Sequence, residues 1–100
     1  MTVVLLHGWP GLPSDYDQVV AHLSGEQVIV PDLAGFGAGF TGTSPAFDAT
    51  AAAHAGRLLS QLDEAGVTGG VVIGGYDIGS RIAQAALRAD PDRFDGAVLT

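Results

Sequence analysis

The sequence predicts an α/β chain organised around a doubly wound parallel sheet. Two observations lead there. Four short aliphatic runs, Thr2–Leu6, Gln27–Val30, Gly70–Ile73 and Gly96–Leu99, are continuous rather than alternating in hydropathy, as strands buried on both faces are. Stretches of helical periodicity separate them, giving the order β-α-β-α-β-α-β. With 100 residues, of which 47% are hydrophobic and 15% charged, the chain can bury one modest core. No repeat, low-complexity tract or internal boundary divides residues 1–100.

Each helix has its own signals. Ser14-Asp15-Tyr16-Asp17 offers an N-cap with an acidic partner, and Tyr16, Val19, Val20 and Leu23 follow at i, i+3, i+4 and i+7. Phe40 to Phe47, with Thr, Gly, Ser and Pro between, reads as a surface loop. Asp48–Ala65 places Ala51, Ala55, Leu58, Leu59 and Leu62 on one face, and Gly66 is a C′ stop. The third helix runs from about Gly79 to Ala89 and is closed by Asp90-Pro91. The fourth strand reaches Thr100 with no helix after it, which would leave a bare edge. The chain is therefore expected to be the amino-terminal portion of a larger core domain.

Composition excludes several functions. The net charge is −7, from eleven acids against four arginines, and lysine is absent. Such a chain offers no basic patch to a nucleic acid and no lysine for a Walker A loop. Without cysteine there is no disulfide framework and no thiolate metal site. No cofactor or metal is expected. No apolar run approaches the ~18 residues of a membrane span, and Val3–Leu6 is too short for a signal peptide and lacks a cationic lead. A cytoplasmic location is expected, with the oligomeric state left open.

The segment Gly75-Tyr76-Asp77-Ile78-Gly79 sits between the third strand and the third helix. Small residue, any residue, nucleophile, any residue, small residue is the pattern of a nucleophile elbow, in which the nucleophile occupies a strained strand-to-helix turn. The nucleophile slot holds Asp77. A carboxylate there points to attack on an electrophilic carbon, and backbone N–H groups at the helix start would favour its ionised form. The plainer reading is that Asp77 only caps the helix.

Three other motifs come in a telling order: His7-Gly8-Trp9-Pro10-Gly11 after the first strand, Pro31-Asp32-Leu33-Ala34-Gly35-Phe36-Gly37 after the second, and, beyond the elbow, Pro91-Asp92-Arg93-Phe94-Asp95-Gly96 before the fourth. Together the four resemble the amino-terminal part of an α/β-hydrolase core of the epoxide hydrolase and haloalkane dehalogenase group, over essentially all 100 residues. The resemblance implies a strand order of 2-1-3-4, with a ligand site at the switch point between strands one and three. It implies Asp77 as the nucleophile that forms an alkyl-enzyme ester. The backbone N–H groups of Trp9 and Ile78 would form the oxyanion hole, and Trp9 and Pro10 would border the substrate, with a cis Trp9–Pro10 bond.

The same resemblance makes His7 and Asp32 structural. His22 and His54 fall on helices, as solvated or packed residues. Gly35–Gly39 has the wrong spacing for a dinucleotide fingerprint, and Ser80 lies one past the elbow's closing glycine. Relatives that cleave haloalkanes carry a tryptophan after the nucleophile, and fluoroacetate-type enzymes an arginine; here it is Ile78. The implied reaction is hydrolysis of a small-molecule epoxide, or another electrophile, to a vicinal diol. Dehalogenation and a non-catalytic hydrolase-like binding protein are the alternatives. The family's catalytic histidine, its supporting acid and the cap tyrosines belong beyond Thr100, and Tyr16 and Tyr76 do not match those tyrosines. The 100 residues alone are expected to lack turnover.

Overall fold

The computed structural model describes residues 1–8, 12–31, 33 and 50–100. Along the chain run β1 (Thr2–Leu6), a 3-10 turn (Pro13–Tyr16), α1 (Asp17–Ala21), β2 (Gln27–Ile29), α2 (Ala51–Glu64), β3 (Val71–Gly75), α3 (Ile78–Ala89), a second 3-10 turn (Pro91–Arg93) and β4 (Phe94–Leu99). The strands form one sheet in the order β2-β1-β3-β4, and every pairing is parallel. That is the order the sequence resemblance implied. β1 and β3 are in register from Thr2 opposite Val71 to Leu6 opposite Gly75, so both end level at one edge of the sheet.

Burial separates the inner strands from the outer ones. β1 is buried throughout and β3 at four of its five residues, as continuous apolar runs require. β2 and β4 depart from the expectation of fully buried strands: β2 has no buried residue and β4 none either. Each has a strand partner on one side only among the described residues. Val98 of β4 is 65% exposed. β3 also runs on through Gly75, and β4 begins earlier, at Phe94, with a register irregularity between Val71 and Val72.

The core lies on one sheet face. Val4, Leu6, Val71 and Ile73 alternate onto that face and pack with Ala55, Leu58 and Leu62 of α2 and with Ile82, Ala83 and Ala86 of α3. The apolar stripe expected on α2 is the one buried, with Ala51 and Leu59 partly covered at its margin. The opposite face carries Leu5, Val72, Gly74 and Val98. With Tyr16 and Val19 these border an apolar cleft of about 360 Å³.

Helix ends follow local chemistry, with one correction. The Oγ1 of Thr50 accepts from the Ala53 N–H at the start of α2, so that helix begins at Ala51 and not at Asp48. At its end, Gly66 has φ 75°, its N–H bonds the Asp63 carbonyl, and Val67 N–H bonds that of Leu62. This is a Schellman ending, as Gly66 predicts. The correction concerns the first helix: Ser14 does not cap it. Instead Asp15 accepts from the Leu12 N–H at 3.1 Å, the chain makes a 3-10 turn, and α1 spans only Asp17–Ala21. Pro13 at the first position of that turn fixes φ and needs no donor.

Arg93 fastens the far end of the molecule. Its Nη2 donates to Asp63 at 2.6 Å, its Nε to Asp90 at 2.8 Å, and its Nη1 to the Val67 carbonyl at 3.1 Å. Its hydrogen bond to Asp63, against a smaller cost of burial, raises its already high pKa. One guanidinium thus joins the ends of α2 and α3.

Candidate functional site

The turn after β3 is built from backbone conflict that only small residues resolve. A Cβ on Gly75 would stand 2.6 Å from the carbonyl carbon of Gly79, and one on Gly79 would meet the carbonyl oxygens of Leu6 and His7. β3, α3 and the end of β1 therefore touch backbone to backbone. Between the two glycines, Asp77 has φ 57° and ψ −123° and is the non-glycine residue with positive φ among the described residues. That corner is one an L-residue occupies at a cost of about 1–3 kcal/mol.

Asp77 stands at the N-cap position of α3, yet its side chain makes no capping hydrogen bond. Its backbone does the anchoring. The Asp77 carbonyl accepts from Ser80 at 3.1 Å, and its N–H donates to Thr100 at the end of β4. Capping of the helix by the carboxylate is thus not what the geometry shows. Ile78 is the first residue of α3, where a backbone N–H has no partner within its own helix.

The end of β1 meets this turn directly. A Cβ on Gly8 would lie 2.5 Å from the Tyr76 ring and 2.9 Å from the Cβ of Asp77. His7, fully buried, uses both ring nitrogens: Nε2 accepts from the Leu33 N–H at 3.1 Å, so Nδ1 carries the hydrogen and faces the Gly8 carbonyl at 3.0 Å. It staples the end of β1 to Leu33 after β2, the structural role expected of it.

Two tyrosines flank the same junction. The Tyr76 hydroxyl donates to Asp15 Oδ2 at 2.8 Å, and the Tyr16 hydroxyl donates to the Leu6 carbonyl at 2.9 Å. Their rings are tilted by 59° at 6.0 Å between centroids. The hydrogen bond from Tyr76, then that from the Leu12 N–H, holds the Asp15 carboxyl below its ordinary range. A backbone contact at Gly8 draws the Tyr76 phenol down, but burial and the Asp15 carboxylate outweigh it and raise it. Burial pushes Tyr16 up to about 12.

Of the residues singled out in the sequence, Asp77, Ile78, Gly75, Gly79, His7 and Gly8 are brought together. Trp9, Pro10 and Gly11, Asp32, Gly35–Gly39 and the loop from Phe40 to Phe47 lie outside the described residues. His54 is buried within α2 and His22 is exposed on α1's end, with Nδ1 2.7 Å from the Gln18 carbonyl. Ser80 is buried and receives Gln84 Nε2 at 3.4 Å. What sequence reading missed is the Tyr76–Asp15 pair, joined across 61 positions; no local pattern announces such a contact. Among the described residues no cluster of three metal-ligating side chains forms, and no helix is long and apolar enough to cross a membrane.

Residues 2–100 match the alpha/beta hydrolase fold family, and the chain belongs to it. It is 31% identical over 91 residues to a protein named as a hydrolase, LipZ of Mycobacterium tuberculosis, spanning 91% of this chain and 31% of that protein. The chain thus covers about a third of the length of this curated relative. A thermophilic esterase structure from Thermogutta terrifontis superposes with a TM-score of 0.84 at 33% identity, over 99% of this chain and 36% of the esterase. A structure from Klebsiella pneumoniae, named as an epoxide hydrolase, superposes with a TM-score of 0.84 at 31% identity, over 97% of this chain and 33% of that one.

Proposed function

We propose that this chain carries the nucleophile half of an aspartate-dependent hydrolase whose substrate is a small epoxide. The observation that carries the reading is Asp77, held at φ 57° between two obligatory glycines with its carboxylate not used to cap α3. Strain at a turn that merely joined a strand to a helix would be relieved by glycine. An unrelieved strained carboxylate suits a nucleophile.

The chemistry separates the relatives. Attack by a carboxylate on an ester carbonyl would give a tetrahedral adduct that returns to reactants, because the carboxylate is a better leaving group than the alkoxide. Attack on an epoxide carbon is different. An Asp77 oxygen forms a C–O bond, the ring C–O bond breaks, and the ring oxygen takes up a proton from an acid or from water. The product is an alkyl ester of Asp77. Water then adds to that ester's carbonyl, and collapse releases the diol and restores the carboxylate. The developing oxyanion would be met by the backbone N–H groups of Ile78 and Trp9. The Klebsiella pneumoniae relative's name agrees with this substrate class; the esterase's similarity supports the fold and the elbow's place in it.

Water activation needs a base, and His7 cannot serve, because both of its nitrogens are engaged. The chain should therefore stall at the ester. Incubated with excess styrene oxide and examined by intact-protein mass spectrometry, it should gain one equivalent, mapped to Asp77, and release no diol beyond that. Asp77→Asn should gain none. An adduct elsewhere, or one that persists in Asp77→Asn, refutes the assignment.

A further inference from the structure

We infer that Tyr76, the residue before Asp77, is a positioning residue that ties both Gly8 and Leu12 to the elbow. This rests on Asp77 being the nucleophile. Three contacts carry it. The Tyr76 ring lies against Gly8, so closely that a Cβ there would be 2.5 Å from Cε2 and 2.7 Å from Cδ2. Its hydroxyl donates to Asp15 Oδ2 at 2.8 Å. The same Asp15 oxygen accepts the Leu12 N–H at 3.1 Å. Gly8 and Leu12 are the two residues that flank positions 9–11.

One side chain therefore reaches Gly8 through its ring and Leu12 through its hydroxyl, by way of Asp15. Because Tyr76 is bonded to Asp77, these contacts tie Gly8 and Leu12 to the reacting carboxylate and not merely to the sheet. Tyr16 acts on a different atom, the Leu6 carbonyl within β1. The absence of a Cβ at Gly8 is what admits the ring. A displacement on the order of 1 Å between a nucleophile and the donors that serve it costs about 100-fold in rate, so this spacing is worth fixing.

The clamp should matter in one chemical step and not the other. Opening the epoxide needs the carboxylate and a proton from an acid or from water, whereas cleaving the ester builds an oxyanion that, on the proposed reading, the N–H groups of Ile78 and Trp9 must receive. Hydroxylamine makes the second step observable without a general base: its nitrogen adds to the ester carbonyl, the alcohol leaves, and Asp77 becomes a hydroxamate. With the 100-residue chain and styrene oxide, Tyr76→Phe and Asp15→Asn should each alkylate within about twofold of the parent. Each should then lose the ester to hydroxylamine about tenfold or more slowly. The double variant should be no slower than either single one.

A second measurement is independent of chemistry. Hydrogen exchange at the Leu12 amide should quicken in Tyr76→Phe, with far-UV circular dichroism unchanged. Ester release at the parental rate in Tyr76→Phe, after normal alkylation, overturns the clamp. Unchanged exchange at Leu12 overturns it as well, whatever the kinetics. A parent chain that forms no ester at all instead overturns the nucleophile assignment, and the positioning role falls with it.

Discussion

The starts of α2 and α3 are built from similar capping residues and behave oppositely. Thr50 sits in extended backbone at φ −66° and its hydroxyl accepts the Ala53 N–H at 3.2 Å. Asp77, an equally good capping type, sits at φ 57° and caps nothing with its side chain. The first arrangement satisfies a helix. The second sets aside that stabilisation and adds backbone strain, and its neighbours cannot be enlarged. Helix stability does not explain such a turn; the function proposed above gives it a reason, presentation of a carboxylate at the junction of β1, β3 and α3.

The largest effect should come from crowding the second helix start. Gly79→Ala drives a Cβ into the Leu6 and His7 carbonyls, and backbone cannot step aside as a side chain can. A loss of about 3 kcal/mol is expected by urea unfolding. A loss under about 1 kcal/mol would mean the junction is slack and the comparison wrong.

Relief of the strain should come next. Asp77→Gly is expected to stabilise the fold by about 1 kcal/mol, the strain recovered less the extra freedom of glycine when unfolded, while abolishing alkylation. Asp77→Asn, with the same branching, should leave the urea midpoint nearly where it was. Were Asp77→Gly destabilising instead, the carboxylate would hold the turn rather than be held by it.

At the first helix start the sign reverses. Thr50→Ala removes a working cap and should cost about 1 kcal/mol, read by the same urea titration. Along that helix, Gly56 is exposed with no atom near a Cβ, so Gly56→Ala should gain about 0.5–1 kcal/mol. Glycine is thus dispensable in one helix and indispensable at the entrance to the other.

The smallest effect is read by ionisation. The chain has two tyrosines, and both are raised above the usual 10.0, Tyr16 to about 12 through burial. Unfolded tyrosines lose their protons first as pH rises, so the stability linked to these phenols is whole below pH 10 and is lost between 10 and about 12 for Tyr16. Tyrosinate absorbance should therefore rise late. Asp15→Asn should bring the Tyr76 component down. Asp15 runs the other way: its carboxyl is depressed, so its contribution is present above the ordinary carboxylate pKa and fades as pH falls through the lowered one. A tyrosinate transition centred at 10 for both residues would show that neither phenol is held as described.

Local chemistry made much of this legible in the sequence. The helical stripe of α2, its ending at Gly66, the inner strands and the spacing Gly75-x-Asp77-x-Gly79 all follow from side-chain periodicity, glycine's tolerance of positive φ and the size limits of a tight turn. Those are properties of residues within a few positions of one another. What the sequence could not decide is what depends on neighbours brought from afar. The outer strands are half exposed because of their place in the sheet and not their composition, and the first helix yielded to a 3-10 turn because Asp15 engages Leu12 and Tyr76. Whether the Asp77 side chain caps its helix was also open, since aspartate suits that role and others. It was settled by β1 arriving level with β3, where Gly8 and Gly79 let three backbones meet and the turn between them could be held at an angle that no local preference would choose.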